Sequence, residues 1–95
     1  MLDNYKMTLA IYPLREFDKS VNEVEPLEAS YENNDIDALK ESLWETVFRT
    51  MKEANASNGI TFIRYDIEKN GEYFDCDEGY FRIDLENNFA RFLID

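Results

Sequence analysis

The sequence predicts an α+β fold, with one amphipathic helix packed on a four- to five-stranded antiparallel sheet in a two-layer single domain spanning residues 1–95. Two patterns indicate this fold. Apolar residues recur at steps of three and four over 35–58, as on one face of a helix. After residue 59 the apolar period falls to about two, and turn residues interrupt it, which is typical of a C-terminal β-meander. With 44% hydrophobic residues, the chain can form one core.

The predicted helix has a broad apolar stripe and a charged opposite face. The stripe consists of Ile36, Leu39, Leu43, Trp44, Val47, Phe48 and Met51. Asn34 or Asp35 is expected to cap the first turn by accepting a free backbone N–H. Gly59 is expected to end the helix, because glycine tolerates the left-handed conformation. We expect Trp44 and Phe48 to lie at the centre of the contact between helix and sheet.

The strands are predicted from alternating apolar residues and the turns between them. The segments are 6–14, 60–68, 72–76, 80–85 and 89–94. Tight turns are expected at Asn70-Gly71, at residues 77–79 and at residues 86–88. The position of the first strand in the sheet is left open, with a place beside the last strand as one option. One face of the sheet should be open to water.

Residues 15–33 are predicted to be an acidic loop or irregular segment. A short helical turn near Phe17, or an irregular edge strand over 21–27, are the alternatives, and Pro26 argues against a longer helix. A long polar loop is uncommon inside a compact domain unless it is functional or mobile. This segment is therefore a candidate contact surface, although a solvated loop is the simpler interpretation.

The chain carries a formal net charge of −11, with 21 acids, 10 bases and no histidine. The surplus of acids extends along the whole sequence. Such a surface repels nucleic acid and anionic membranes, and it speeds the encounter with a basic partner. Solubility alone would also explain the charge.

No motif for catalysis, a cofactor or a metal is present. A single cysteine and no histidine exclude a zinc site and remove the commonest general base. Asp75 begins a sequence that partly fits a calcium loop, but Gly79 and Tyr80 occupy positions that require an oxygen ligand and a glycine. We predict no enzyme activity, no catalytic residue, no cofactor and no metal. A small-ligand or metal-binding domain is a third interpretation.

The charge favours a nucleic-acid mimic. We predict a small acidic inhibitor or regulator that occupies the basic nucleic-acid-binding surface of a nuclease or a DNA- or RNA-binding complex, without binding nucleic acid or membrane itself. Phage-encoded anti-restriction and anti-CRISPR inhibitors, and immunity proteins of nuclease toxins, include small acidic domains of similar size and charge. The likeness is one of size and charge, and no motif of a named family is present. The predicted partner-binding residues are Glu23, Glu25, Glu28, Asp66, Glu68, Tyr73, Asp75, Asp77, Glu78, Tyr80 and Asp84.

The alternative is a structural or assembly module that forms a homodimer, with the acidic surface serving only solubility. Its interface would be an open sheet edge or the face that bears Phe62. The N-terminal residues lack the basic start and apolar stretch of a signal peptide, and no apolar run is long enough for a membrane span. We therefore predict a cytoplasmic protein.

Overall fold

The structure is a computed structural model that describes residues 2–15 and 21–93. Its strands are β1 (Tyr5–Arg15), β2 (Leu27–Asn33), β3 (Gly59–Lys69), β4 (Glu72–Asp84) and β5 (Phe89–Phe92). They form one antiparallel sheet in the order β2-β1-β3-β4-β5. A helical stretch, made of α1 (Ile36–Glu41) and α2 (Leu43–Glu53), packs on one face of this sheet. The predicted α+β architecture with one helical layer on a five-stranded sheet is confirmed.

The first strand lies inside the sheet rather than beside the last strand. β1 pairs with β2 on one side and with β3 on the other, both antiparallel. β2 and β3 therefore run parallel to each other with β1 between them. Parallel strands need a crossover connection, and the helical stretch supplies it.

The helix begins where the sequence predicted. Asp35 is the N-cap, and its Oδ1 accepts the N–H of Asp37 at 2.9 Å. Ser42 separates α1 from α2 but keeps a helix-like conformation, and its carbonyl accepts the N–H of Thr46 at 3.0 Å. The hydroxyl of Thr46 donates to the same carbonyl at 2.8 Å, which accompanies the slight break between the segments.

The helix ends at Glu53, earlier than predicted. Asn55 adopts a φ of 57°, and the N–H of Ala56 donates to the carbonyl of Met51 at 2.9 Å. This is a Schellman arrangement, in which a left-handed residue reverses the chain and satisfies the last carbonyls. Asn55 takes the role that the sequence assigned to Gly59, which instead begins β3 with a φ of 134°.

The prediction of a loop or irregular segment over 15–33 is wrong for its second half. Residues 16–20 lie outside the described part of the chain, and a short 3₁₀ helix spans Val21–Glu23. β2 then pairs along β1, from Leu27 opposite Ile11 to Asn33 opposite Tyr5. This segment therefore contains an edge strand, as one alternative predicted, but the strand begins at Leu27, where the predicted strand over 21–27 would have ended.

The predicted turn at residues 77–79 is also wrong. β4 continues through it, with Asp77 opposite Tyr65 and Gly79 opposite Ile63. The two predicted strands 72–76 and 80–85 are therefore one strand. Its pairing with β3 is irregular at one point, where the register shifts between Ile67 and Glu68 of β3. The turn at Asn70-Gly71 is confirmed, and both residues have positive φ as a tight hairpin requires.

The core lies between β1, β3 and the helices. Leu39, Val47 and Met51 are fully buried and form the centre of the helical contribution. Phe48 is buried beside them, but Trp44 is only half-buried, at the margin towards β4. The prediction that Trp44 occupies the centre of the contact is therefore wrong. The buried apolar residues of the sheet are Tyr5, Met7, Leu9, Ile11 and Leu14 on β1, Ile60, Ile63 and Ile67 on β3, and Ile83 on β4, with Leu85 just beyond it.

One polar group in this core has no partner. Thr61 on β3 is 1% exposed, and its hydroxyl makes no hydrogen bond with any described residue. Burying an unpaired hydroxyl costs about 1–3 kcal/mol. Thr61→Val keeps the shape of the side chain and should raise the free energy of unfolding by about 1 kcal/mol, measured by urea denaturation. Thr8→Val, at an exposed position on β1, is the control, and a destabilised Thr61→Val would contradict the prediction.

Candidate protein-binding surface

Most of the predicted contact residues project from the open face of the sheet. Alternation along paired strands puts there Glu28, Asp66, Glu68, Tyr73, Glu78, Tyr80 and Asp84. A band of three aromatic rings crosses this face. The Phe62 ring lies 5.9 Å from that of Tyr12 and 4.8 Å from that of Tyr80, centroid to centroid. The face therefore combines apolar area with carboxylates.

The remaining predicted residues lie elsewhere. Glu23 and Glu25 are exposed in and after the 3₁₀ helix, and Asp75 and Asp77 project from the helix side of β4. On the open face, one row of neighbouring residues runs from Glu28 on β2, across β1 and β3, to Glu78 on β4. The face therefore carries an acid at each side. Three strand spacings separate these ends by about 14 Å. The predicted residues therefore form no single patch.

Most carboxylates of the described chain are unpaired. Only two ion pairs join described residues, Lys40 with Asp75 and Lys69 with Asp3, each at 3.7 Å. Basic residues do lie among the acids, since Arg64 stands opposite Glu78 in the sheet register. Even that pair is not within 4 Å. The acidic surface is thus available to cations from outside.

Asp84 differs from the other acids because it holds a turn. Its carboxylate accepts the N–H of Glu86 at 3.1 Å and the N–H of Asn87 at 3.3 Å. The side-chain amide of Asn87 also donates to it, at 2.7 Å. The hydrogen bond from the Asn87 side chain, together with the two backbone bonds, lowers the pKa of the Asp84 carboxyl. Asp84 is therefore occupied by the turn at the end of β4 rather than free for a partner.

The structure also contains an apolar groove that the sequence did not predict. It has a volume of about 400 Å³ and lies between the start of α2 and the outer strands of the sheet. Its walls and floor are Leu43, Trp44, Ile63, Tyr65, Phe81 and Phe92, and its rim carries Asp77 and Glu78. The rings of Trp44 and Phe92 contact that of Phe81 at 4.8 and 5.4 Å between centroids.

Tyr65 lies on the floor of this groove. Partial burial raises the pKa of its hydroxyl, and the nearby carboxylates of Asp77 and Asp75 raise it further. The hydroxyl therefore stays neutral at physiological pH and offers a hydrogen-bond donor inside an otherwise apolar groove.

The groove adjoins an open sheet edge. β5 pairs with β4 only from Phe81 to Asp84, extended by a bond from the N–H of Leu93 to the carbonyl of Tyr80. From Glu72 to Gly79, no described residue pairs with the outer edge of β4. The chain therefore leaves a strand edge of eight residues exposed.

Two aspartates cover this edge. Asp75 accepts the N–H of Cys76 at 2.9 Å, and Asp77 accepts the N–H of Glu78 at 2.8 Å. Alternation from Tyr80, whose carbonyl faces β5, places both N–H groups on the outer side of β4. Each aspartate thus shields an edge donor that a neighbouring strand would otherwise use.

The calcium interpretation finds no support in this region. Residues 75–79 are extended within β4 instead of forming a loop. Among the described residues, no group of three Asp, Glu or Cys side chains is placed to hold a metal ion. Cys76 is free and exposed, and it accepts a hydrogen bond from the Tyr73 hydroxyl at 3.2 Å.

The chain matches no protein-family model, no curated protein and no solved structure at a significant level. In the described part of the chain, no helix has the length and apolar character needed to cross a membrane.

The role of Asp84 in its turn is testable through pH. Its stabilising bonds are present above the pKa of the carboxyl in the unfolded chain, and they are lost as pH falls through the lower pKa of the folded state. Asp84→Asn should therefore lower stability at neutral pH and have little effect in acid. Urea unfolding measured from neutral pH into the acid range, below the usual pKa of an aspartate, checks this.

Glu86→Gln, a neutralisation at an exposed neighbour in the same turn, is the control for Asp84→Asn. Equal loss of stability for the two variants would mean that the bonds to Asp84 have no specific role.

Proposed function

We propose that this protein is an acidic protein-binding inhibitor or regulator rather than an enzyme. It acts as a nucleic-acid mimic, by occupying the basic nucleic-acid-binding surface of a nuclease or of a DNA- or RNA-binding complex. The observation that carries the proposal is the set of exposed carboxylates without a cationic partner. A surface that needed its charge only for folding would pair it internally.

The physical basis is additive. One exposed ion pair contributes about 0.2–1 kcal/mol, so a single contact would not hold a partner. Several carboxylates act together on a groove lined by lysine and arginine. They attract this groove over a distance and raise the association rate. Each partner cation that binds a carboxylate is withdrawn from phosphate, and inhibition follows from this competition.

The aromatic band on the open face supplies the apolar contact area that carboxylates alone do not provide. Tyr80 is 37% exposed and packs against Phe62, so it presents a rigid ring beside Glu78. Aromatic side chains dominate the buried centre of protein interfaces, while charged side chains line the rim. Glu28 and Glu78 lie in the next open-face row beside the band, and Asp66 and Glu68 lie farther along the sheet on the same side, so the acids form a charged margin on one side of the band.

We propose a cytoplasmic location. Cys76 is exposed and unpaired, which suits a compartment that keeps thiols reduced.

Exposed apolar rings support a second candidate, an assembly module that forms a homodimer. Tyr73, Phe74, Phe89 and Phe92 are between 45% and 71% exposed along the outer strands. Large exposed apolar side chains in one region often mark an interface. Sedimentation velocity of the purified protein separates the candidates, because the assembly module is a dimer without any partner and the inhibitor is a monomer.

Affinity capture with two matched variants tests the proposed function. The open-face variant carries Glu28→Gln, Asp66→Asn, Glu68→Gln and Glu78→Gln. The helix-face variant carries Asp37→Asn, Glu41→Gln, Glu45→Gln and Glu53→Gln. Both lose the same formal charge from exposed positions. We expect the wild type to retain a nucleic-acid-binding protein at low salt, and high salt or added nucleic acid to release it.

The open-face variant should lose most of this capture, about tenfold or more in affinity, while the helix-face variant loses less. Equal loss would mean that net charge alone acts, without a binding face. Binding that is insensitive to salt, or that nucleic acid does not reverse, would contradict mimicry.

A further inference from the structure

We propose that the outer edge of β4, from Glu72 to Gly79, binds an extended basic segment of the partner protein as an additional strand. This inference rests on the proposed function and specifies how the partner is held. It joins three features of one region: an unpaired strand edge, an apolar groove beside it, and carboxylates around both.

The edge is long enough for strand addition. Eight residues in extended conformation span about 26 Å, and natural strands of five or six residues already form stable pairs. Such exposed edges pair with any available strand unless they are blocked. Here the block is made by side chains, since Asp75 and Asp77 cover the outward N–H groups of Cys76 and Glu78.

This block is selective for a basic segment. An incoming strand must draw the two aspartates away from the N–H groups before its own carbonyls can accept those bonds. Lysine or arginine side chains on that strand offer the carboxylates an ion pair in exchange. An acidic or neutral strand offers none, so it would leave the displaced Asp77 carboxylate without a cationic partner, whereas Asp75 would keep its ion pair with Lys40.

The groove specifies the side-chain pattern of the segment. Side chains of an added strand alternate between the two faces of the sheet. Those on the helix side meet the groove, where Trp44, Phe81 and Phe92 provide apolar walls. Those on the open side meet Glu78 and Tyr80.

Asp75 and Asp77 also project to the helix side, so the basic residues of the segment lie on that face, where their aliphatic stems cover the walls of the groove and their charges meet the two aspartates. Apolar residues then lie on the open side beside Tyr80, and a strand that alternates basic and apolar residues fits both faces.

Gly79 keeps the groove open at this point. A Cβ there would approach the Phe92 ring to 2.9 Å and that of Phe81 to 3.3 Å. The strand can therefore pass close to the two rings only because residue 79 has no side chain. This accounts for a glycine in the middle of a long strand, where it otherwise weakens pairing.

A second copy of this protein is a poor occupant. Antiparallel pairing of two β4 edges would bring the acids Asp75, Asp77 and Glu78 of one copy near those of the other. Like charges that face each other across strands are destabilising. Charge complementarity therefore favours a basic partner over self-association at this edge.

A synthetic peptide provides the direct test. The probe is a blocked nine-residue peptide that alternates lysine with valine, and its control has the same lysines but proline in place of the central valines. Proline cannot donate to a strand ladder. Binding is followed by fluorescence of Trp44, the only tryptophan, and by NMR of the backbone amides. We expect the valine peptide to shift the amides of Cys76 and Glu78, and the proline peptide to bind at least about fivefold more weakly.

Two double variants locate the site. Asp77→Asn with Glu78→Gln removes two charges from the edge, and Glu41→Gln with Glu45→Gln removes two from exposed positions on the helices. The edge variant should weaken the valine peptide at least about threefold, and the helix variant less than twofold. Equal binding of the two peptides, equal weakening by the two variants, or no binding at millimolar peptide would overturn the proposal.

The same variants separate this inference from the proposed function. If both double variants still capture a nucleic-acid-binding protein that salt releases, and the valine peptide does not bind, the edge proposal is wrong and the mimic remains. If the peptide binds at β4 but no such protein is captured, the mimic is wrong and the strand-binding edge remains. Dimerisation of the purified protein that shifts the same edge amides would also overturn the proposal, since the edge would then bind a second copy.

Discussion

The structure depends on one constraint, which is that a single helical layer must cover a five-stranded sheet. The outermost strands lie about 19 Å apart, whereas a helix with its side chains is about 10 Å wide. The helical stretch lies closest to β2 and β1, which follows from its role as the crossover between β2 and β3. Trp44 and Phe48 reach towards β4 and β5, and Lys40 forms an ion pair with Asp75 on β4. The uncovered helix-side surface of these outer strands becomes the groove.

The formation of the core depends little on the charged residues at the surface. The buried side chains of β1, β3 and the helices are apolar, so the carboxylates take almost no part in the core. Their mutual repulsion lowers stability, yet the chain forms only two ion pairs among its described residues. A core that does not depend on the surface charges leaves those charges free for another role. We therefore expect that exposed acids other than Asp35 and Asp84, which hold a helix cap and a turn, can be altered in groups without loss of the fold.

Local patterns predicted the elements whose signals are strong. The stripe from Ile36 to Met51 gave the helix, and Asn70-Gly71 gave the hairpin, because each depends on backbone preferences of adjacent residues. The strand β2 was missed since its inward residues, Leu27, Ala29 and Tyr31, alternate with polar residues in a region of loop-like composition. This alternation of apolar and polar residues would nonetheless have allowed β2 to be predicted.

Other features depend on partners far away in sequence. Residues 77–79 have the composition of a turn, but pairing with β3 keeps them extended. Gly79 resembles a turn residue, and its actual role follows from the ring of Phe92. The open-face positions of Asp66 and Glu68 could be predicted from alternation, whereas the position of Glu78, which was expected to lie in a turn, and the groove could not. The groove requires Trp44 of α2 and Phe92 of β5 to flank the ring of Phe81, and no local sequence pattern predicts that arrangement.

The two aspartates of β4 connect stability with recognition. Sheet proteins must keep exposed edges from pairing indiscriminately, and charged side chains are a common means. Asp75 and Asp77 fulfil this by hydrogen bonding to N–H groups of their own strand, so the edge is satisfied while the protein is alone. A hydrogen bond from a backbone N–H to a solvent-accessible carboxylate is exchanged more easily than a bond within the sheet. The edge is therefore protected against neutral and acidic strands, and it is open to a strand that brings positive charge.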